Sequence, residues 1–175
     1  MPTTVRPWQP QDRAAIVALN AELQEHERMR RPSRLPGAAM TEAYMAGLEA
    51  HLAHKGADGA LLVAEDEGGR VLGFATCFVE EDELEQEPRQ ARIEDLVVAA
   101  PARRRGIARA LVAEACRFAR GRDAGRIVLS VLTSNVEAAT AYRRLGFRPR
   151  QRLARHGSGP PRQSTSFFSA GSRLS

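Results

Sequence analysis

Lysine is nearly missing from this sequence: Lys55 is the only one among 26 basic residues, and arginine carries the rest of a net charge of +5. Cysteine is scarce as well. Cys77 and Cys116 are the only two, too few for a disulfide framework, and neither has metal-ligand spacing or a pair of histidines beside it. Both are expected to be small buried side chains in a reducing cytoplasm, and no metal is expected. Aromatic residues make up 5% of the chain, so few stacking platforms lie among the arginines and a nucleic-acid partner is disfavoured. No apolar run approaches the roughly 20 residues of a membrane span. The opening MPTTVRPWQPQD lacks the apolar core of a secretory signal. No membrane partner is therefore expected, and the location is expected to be cytoplasmic.

What is present suits one globular domain. A chain of 175 residues, 43% hydrophobic and 27% charged, can bury a single core. That domain is expected to span residues 1–153. From Ala154 onward the sequence reads ARHGSGPPRQSTSFFSAGSRLS. Its Gly, Pro and Ser predict a disordered tail over 154–175, with Phe167 and Phe168 as its only anchors.

Along the chain, Thr4 to Pro7 reads as a first strand, and Asp12 is placed to cap a helix carrying Ala15, Ile16, Leu19 and Leu23. The stretch RRPSRLPG, Arg30 to Gly37, breaks it as a loop. Thr41 then starts a second helix in which Tyr44, Leu48 and Leu52 recur every four residues. His26, His51 and His54 lie on or near these helices, without partners for metal or base chemistry, and read as solvent-facing. Gly59 to Glu65 and Arg70 to Val79 form two strands around the turn Asp66-Glu67-Gly68-Gly69. The acidic run Glu80 to Glu87 reads as an exposed hairpin loop leading into the next strand.

The stretch Ala91 to Leu111, ARIEDLVVAAPARRRGIARAL, organises the rest. Ile93 to Val98 is a short apolar run with embedded acids, hence a strand, and Pro101 with the arginines ends it. A helical stripe resumes at Gly106, with Ile107, Leu111, Ala115 and Phe118 on one face. The turn Arg103-Arg104-Arg105-Gly106 thus sits at a helix start, where unpaired N–H groups and the positive end of the macrodipole suit an anion such as pyrophosphate. Gly106 permits close approach and Ala108 adds little bulk. A solvated turn of arginines is the alternative. Arg126 to Leu132 reads as a buried strand parallel to the one at Ile93 to Val98. Ser134 and Glu137 have capping-box spacing for a helix that Gly146 and Phe147 end, and Arg148 to Leu153 reads as a further strand.

Two blocks resemble the GNAT superfamily of N-acetyltransferases. Arg103-Arg104-Arg105-Gly106-Ile107-Ala108, after the strand end Leu96-Val97-Val98, is similar to the acetyl-CoA motif. Asn135 through Tyr142 to Leu145-Gly146-Phe147 resembles the block that closes the cofactor site. The resemblance spans Val5 to Leu153. It implies a mixed α/β fold with antiparallel N-terminal strands, splayed parallel central strands and flanking helices. It also implies acetyl-CoA as co-substrate, with the pantetheine arm against Leu96, Val97 and Val98, its amide held by Asn135, and the pyrophosphate on Arg103 to Ala108. Where the family adds a closing C-terminal strand, the composition of this tail puts that strand in doubt.

The chemistry implied is acetyl transfer from a thioester to an amine. An alkyl amine with a pKa of about 10.4 is mostly protonated at neutral pH, so a carboxylate should help as base. Glu94 is the first candidate, since alternation puts it with Leu96 and Val98, and the order Ile-Glu-Asp-Leu resembles polyamine acetyltransferases. Asp95, expected on the opposite face, is the second. The Val98 N–H is implied as the donor to the developing oxyanion, and Tyr142 as the acid for the leaving thiolate, although the stripe Val136, Ala139, Tyr142 and Leu145 equally reads as core. The acceptor is expected to be a small-molecule or peptide amine, with the acidic run pointing to a polycation. A homodimer is compatible with the family. The alternatives are an acyl-CoA-binding module without effective catalysis and, more weakly, a basic nucleic-acid-binding protein.

Overall fold

The computed structural model describes residues 3–30, 41–81, 89–150 and 165–171. Seven strands, β1 (Thr4–Pro7), β2 (Gly59–Glu65), β3 (Val71–Glu81), β4 (Arg89–Val98), β5 (Arg126–Leu132), β6 (Arg148–Arg150) and β7 (Thr165–Gly171), form one sheet ordered β1-β2-β3-β4-β5-β7-β6. Among the described residues four α-helices accompany it: α1 (Arg13–Arg30), α2 (Thr41–Lys55), α3 (Ile107–Arg120) and α4 (Val136–Arg144). Strands β1 to β4 pair antiparallel, β4 and β5 pair parallel, and β7 runs antiparallel to both β5 and β6. The mixed α/β architecture expected from the sequence is the one observed.

Both faces of the sheet are covered, which is why β2 and β3 read as nearly continuous apolar runs. On one face Leu62, Ala75, Cys77, Ile93 and Ile127 pack with Leu111, Ala115 and Cys116 of α3. On the other, Leu61, Val63, Phe74, Phe78 and Val97 pack with Ile16 and Leu19 of α1 and Met45 and Leu48 of α2. Both cysteines are buried thiols, as their context predicts, and burial pushes the Cys77 thiol up to about 12. Phe118 sits at the margin of its core with the Arg122 guanidinium 3.8 Å from its ring centroid.

Asp12 does its work one step before the helix. It ends a 3-10 turn, Pro10–Asp12, takes the Gln9 N–H at 2.7 Å, and receives both ends of the Arg6 guanidinium at 2.7 and 3.0 Å. Arg6 also reaches Glu65 at 2.6 Å, so one side chain ties β1 to β2 and to the root of α1. The turn after β2 follows its sequence: Asp66 accepts the N–H groups of Gly68 and Arg70, and Gly69 takes a φ of 76°.

Two expectations need correction. Thr165–Gly171 does not behave as tail: it forms β7, in register with β5 from Leu132↔Thr165 to Arg126↔Gly171 and with β6 through Arg148↔Ser169 to Arg150↔Phe167. Seven residues suffice because both edges of the strand are bonded and Phe168, 1% exposed, enters the core beneath α4. The closing strand is therefore present, while residues 151–164, which include the second half of the predicted strand Arg148 to Leu153, and 172–175 lie outside the described residues. The acidic run, in turn, is not all loop. Glu80 and Glu81 belong to β3, where they pair across the ladder with Arg92 at 3.2 Å and Arg89 at 2.7 Å. Residues 82–88 lie outside the described residues, as do 31–40, which contain most of the predicted loop after α1.

No helix among the described residues is long and apolar enough to cross a membrane.

Candidate active site

The parallel ladder between β4 and β5 runs from Gln90↔Arg126 to Ile93↔Leu129 and stops there. Each strand continues, β4 to Val98 and β5 to Leu132, so the two part company. The gap opens into a cleft of about 460 Å³. Residues 94–98 of β4 and 130–132 of β5 form its two sides. Asn135, Glu137, Ala138, Ala141, Tyr142 and Leu145 close it on the α4 side, and Glu22, Leu23, Gln24, His26 and Glu27 from the C-terminal half of α1 form the remaining wall. Arg103 and Ala108 stand at the end where the strand gives way to α3.

Strand β4 carries a bulge just where it leaves β5. Cys77 is opposite Ile93 and Ala75 opposite Leu96, so the single residue Thr76 faces both Glu94 and Asp95. The extra residue inverts the alternation. Ile93 belongs to the core under α3, whereas Val97, four residues on, belongs to the core under α1 and α2. This corrects the face assigned to the acids. Leu96 and Val98 pack toward the α3 core, but Glu94 has His51 of α2, Glu80 and Arg92 as its titratable neighbours along with Asp95. Asp95 is bonded to Tyr44 of α2. Both carboxyl groups thus belong to the α2 side rather than to opposite faces.

Glu94 is exposed at the rim of the cleft. Its carboxyl is nevertheless held above the usual carboxylate range, first by partial desolvation and then by the adjacent Asp95 charge, with His51 and Arg92 opposing. Tyr142 leans into the core and reaches the cleft: its ring is 5.8 Å from that of Phe168 and 6.4 Å from that of Phe147. Burial pushes its phenol up to about 12, aided by the charges of Glu27 and Asp95. Asn135 is the N-cap of α4 and accepts the Ala138 N–H at 3.1 Å. The cap is therefore Asn135 and not the Ser134 of the predicted capping box.

At the other end, the turn Arg103-Arg104-Arg105-Gly106 takes left-handed backbone at Arg104 (φ 60°) and Gly106 (φ 83°). Such a turn gathers N–H groups into a concavity that favours anions. Gly106 caps α3, and the Ala110 N–H is the one that bonds back to its carbonyl, at 3.0 Å, so the N–H groups before it face out of the helix start. A Cβ on Gly106 would meet nothing within 4 Å; glycine is needed there for its φ. Arg103, Arg104 and Arg105 are exposed. Ile107 is 2% exposed, so its side chain serves the core and only its backbone can face a ligand. Of the residues singled out from the sequence, Glu94, Leu96, Val97, Val98, Arg103, Ala108, Asn135 and Tyr142 meet at the one cleft, and Arg104, Arg105, Gly106 and Ile107 form the turn beside it.

Several contributors were not singled out. The α1 wall had a signal, since Glu22 and His26, and Leu23 and Glu27, are spaced by four beside a predicted loop. His26 lines the cleft, and His51 stacks edge-on to Phe78 at 4.3 Å; neither is simply solvent-facing. Gly73, opposite Val98, is a glycine inside a strand, the usual mark of close backbone approach. A Cβ there would lie 2.5 Å from the Val97 carbonyl oxygen.

Comparison with known proteins gives the family and the fold. The family described as "Acetyltransferase (GNAT) family" matches residues 20–147. The chain is similar to a streptothricin acetyltransferase of Streptomyces lavendulae, 41% identical over 91 residues that cover 52% of this chain and 46% of that one. It is also similar to glucosamine 6-phosphate N-acetyltransferase 1 of Oryza sativa subsp. japonica, 35% identical over 107 residues, 61% of this chain and 62% of that one. The chain thus matches less than two thirds of the length of these relatives. The crystal structure of a GNAT-family acetyltransferase from Staphylococcus aureus Mu50 superposes with a TM-score of 0.73 over 98% of this chain and 100% of the other, at 12% identity, which is a likeness of fold.

Proposed function

The chain belongs to the acetyltransferase (GNAT) family, and on that premise we propose that it transfers an acetyl group from acetyl-CoA to an amine by direct attack. The observation that carries this reading is the parting of β4 and β5 after Ile93 and Leu129, beside the Arg103 to Gly106 turn, with Glu94, Val98 and Tyr142 around one cleft.

The residues present fit acetyl-CoA. The left-handed turn and the open start of α3 offer N–H groups to a pyrophosphate, Arg103 to Arg105 complement its charge, and the gap between the strands offers unpaired backbone to an amide-bearing arm. Acetyl-CoA, when bound, supplies a thioester whose acyl carbon accepts a nucleophile and whose sulfur departs. Glu94, its carboxyl biased toward holding a proton, takes one from the attacking amine. The Val98 N–H donates to the carbonyl oxygen as charge develops there, at little reorganisation cost because the strand already holds it. Tyr142, whose phenol stays protonated, delivers a proton to the departing sulfur. Asn135 has committed its side-chain oxygen to the helix cap and offers its NH2 group.

For the acceptor, the cleft presents Glu22, Glu27, Glu94, Asp95 and Glu137 against Arg103, an excess of carboxylates that favours a cationic amine, small or peptide-borne. The support comes from the α1 wall, since Glu80 and Glu81 are already paired. The named substrates of the relatives, streptothricin and glucosamine 6-phosphate, are in keeping with an amine acceptor. The test is thiol release from acetyl-CoA across a panel of polyamines, aminoglycosides, amino sugars, amino acids and peptide N-termini, with the product identified by mass. Amine-dependent release with an acetamide product is expected. Tight acetyl-CoA binding without release in the presence of any amine would overturn the enzymatic reading in favour of an acyl-CoA-binding module.

A further inference from the structure

The bulge in β4 is held by two side chains outside the lining of the cleft, Thr76 of β3 and Tyr44 of α2, which meet on Asp95 at the cleft wall. Thr76, fully buried, stands opposite Glu94 and Asp95. Its hydroxyl accepts the Asp95 N–H at 2.9 Å and donates to Asp95 Oδ2 at 3.1 Å, which uses its one proton and one of its lone pairs. The same Oδ2 accepts the Tyr44 hydroxyl at 2.7 Å. A side chain of β3 and one of α2 therefore converge on the carboxylate of the residue that the bulge inserts.

This arrangement decides which backbone groups of β4 face the cleft. The Asp95 N–H is turned toward Thr76 on β3, and the Ala99 N–H is turned the same way, to the Leu72 carbonyl at 2.9 Å. Backbone groups alternate along a strand, so the N–H groups of Leu96 and Val98 point toward β5, beyond the end of its ladder at Leu129. The Val98 carbonyl shares that side and receives Arg103 Nε at 3.2 Å. Without the bulge, the register set by Cys77↔Ile93 would run one residue out of phase, and the N–H groups of Asp95 and Val97 would face the gap instead.

We propose that Tyr44, Thr76 and Asp95 are positioning residues for acetyl transfer, holding the β4 bulge in the phase that turns the Val98 N–H into the cleft and sets Glu94 at its rim. The proposal rests on the acetyl-transfer reading above. None of the three needs to touch a reacting atom. Thr76 supplies the acceptor that the bulged Asp95 N–H would otherwise lack, and Tyr44 ties the same carboxylate to α2, so the ladder cannot slip by one residue without leaving a half-buried N–H and a half-buried phenol unpaired.

The experiment uses the full chain and compares Thr76→Val, Thr76→Ser and Tyr44→Phe. Acetyl-CoA affinity, kcat and KM for the best amine, and amide hydrogen exchange at Asp95 and Val98 are measured for each. Thr76→Val keeps the shape and loses the hydroxyl, so kcat should fall by about tenfold or more, as for loss of a donor that acts only in the transition state, while acetyl-CoA affinity falls less than kcat because the Arg103 to Gly106 turn is untouched, and amine KM changes little. Thr76→Ser, which keeps the hydroxyl, should recover most of kcat. Tyr44→Phe should lower kcat in the same direction and leave the Thr76 bond in place. Asp95 amide exchange should accelerate in Thr76→Val and return toward wild type in Thr76→Ser. Wild-type kcat in a folded Thr76→Val protein, or a Thr76→Ser protein as slow as Thr76→Val, overturns the proposal. Should Thr76→Val fail to fold, Tyr44→Phe decides, and an unchanged kcat there overturns it. If the wild type acetylates no amine, the acetyl-transfer reading fails on its own. The exchange measurement, made without substrates, still decides the bulge: unchanged Asp95 exchange in Thr76→Val overturns its role.

Discussion

Phe168 of β7 meets Tyr142 of α4 edge to face, with ring centroids 5.8 Å apart and planes at 71°. A strand near the C-terminus thereby supports the side chain proposed as the acid, and Phe168 is 1% exposed while doing so. Phe168→Ala should cost about 3–5 kcal/mol in denaturant unfolding, as large cavities in cores do, and should lower turnover because Tyr142 loses its backing. Tyr142→Phe keeps the ring and its contacts. It should leave stability within about 1 kcal/mol, apart from any hydrogen bond lost, and still lower kcat with little change in acetyl-CoA affinity. Full turnover in Tyr142→Phe would make the residue core alone.

Gly106 is the second test. Its φ of 83° strains any other residue, and a carboxylate there would repel a pyrophosphate. Calorimetry should find acetyl-CoA affinity reduced more than about tenfold in Gly106→Glu, with a smaller loss in Arg103→Ala, and wild-type binding should weaken as salt rises. Equal affinity for Gly106→Glu and wild type would remove the turn from the binding site.

The pH dependence of the reaction should report Glu94. Desolvation and Asp95 hold its carboxyl above the ordinary value, against His51 and Arg92. With saturating substrates, kcat should fall as pH drops through that raised value, and Asp95→Asn, which removes the second cause, should move the fall to lower pH. Stability carries the opposite sign. The folded chain holds the Glu94 proton to higher pH than the unfolded chain, so this group's contribution declines as pH rises through the same window. Thermal unfolding of Glu94→Gln should lack that decline.

The junction of β1, β2 and α1 should fail in acid. Arg6 and the Gln9 N–H hold the Asp12 carboxyl below its usual range. Its contribution is therefore complete above the unfolded-state value and lost as pH falls through the depressed one. Asp12→Asn should cost about 1–3 kcal/mol at neutral pH, in line with hydrogen bonds to a charged partner. That cost should shrink in acid, which unfolding curves at pH 7 and below pH 4 would compare.

Much of this protein is legible in its residues taken locally. The stripe Ile107, Leu111 and Ala115 makes α3 with one buried face, and Gly106 after three arginines marks a helix start open to an anion. The turn Asp66 to Gly69 joins two strands where its residues say it should. Each of these depends on contacts within a few positions, where spacing alone decides which side chains share a face. The tertiary structure decided what depends on partners far along the chain. Thr165–Gly171 has the composition of a tail, yet it is a strand because β5 and β6 bond both its edges and α4 covers Phe168. Glu94 and Asp95 alternate in the sequence, yet they share the α2 side because Thr76, distant in sequence, accommodates two residues of β4 opposite its one. A strand's periodicity carries no trace of a one-residue bulge, since its cost and its compensation both lie in the neighbouring strand.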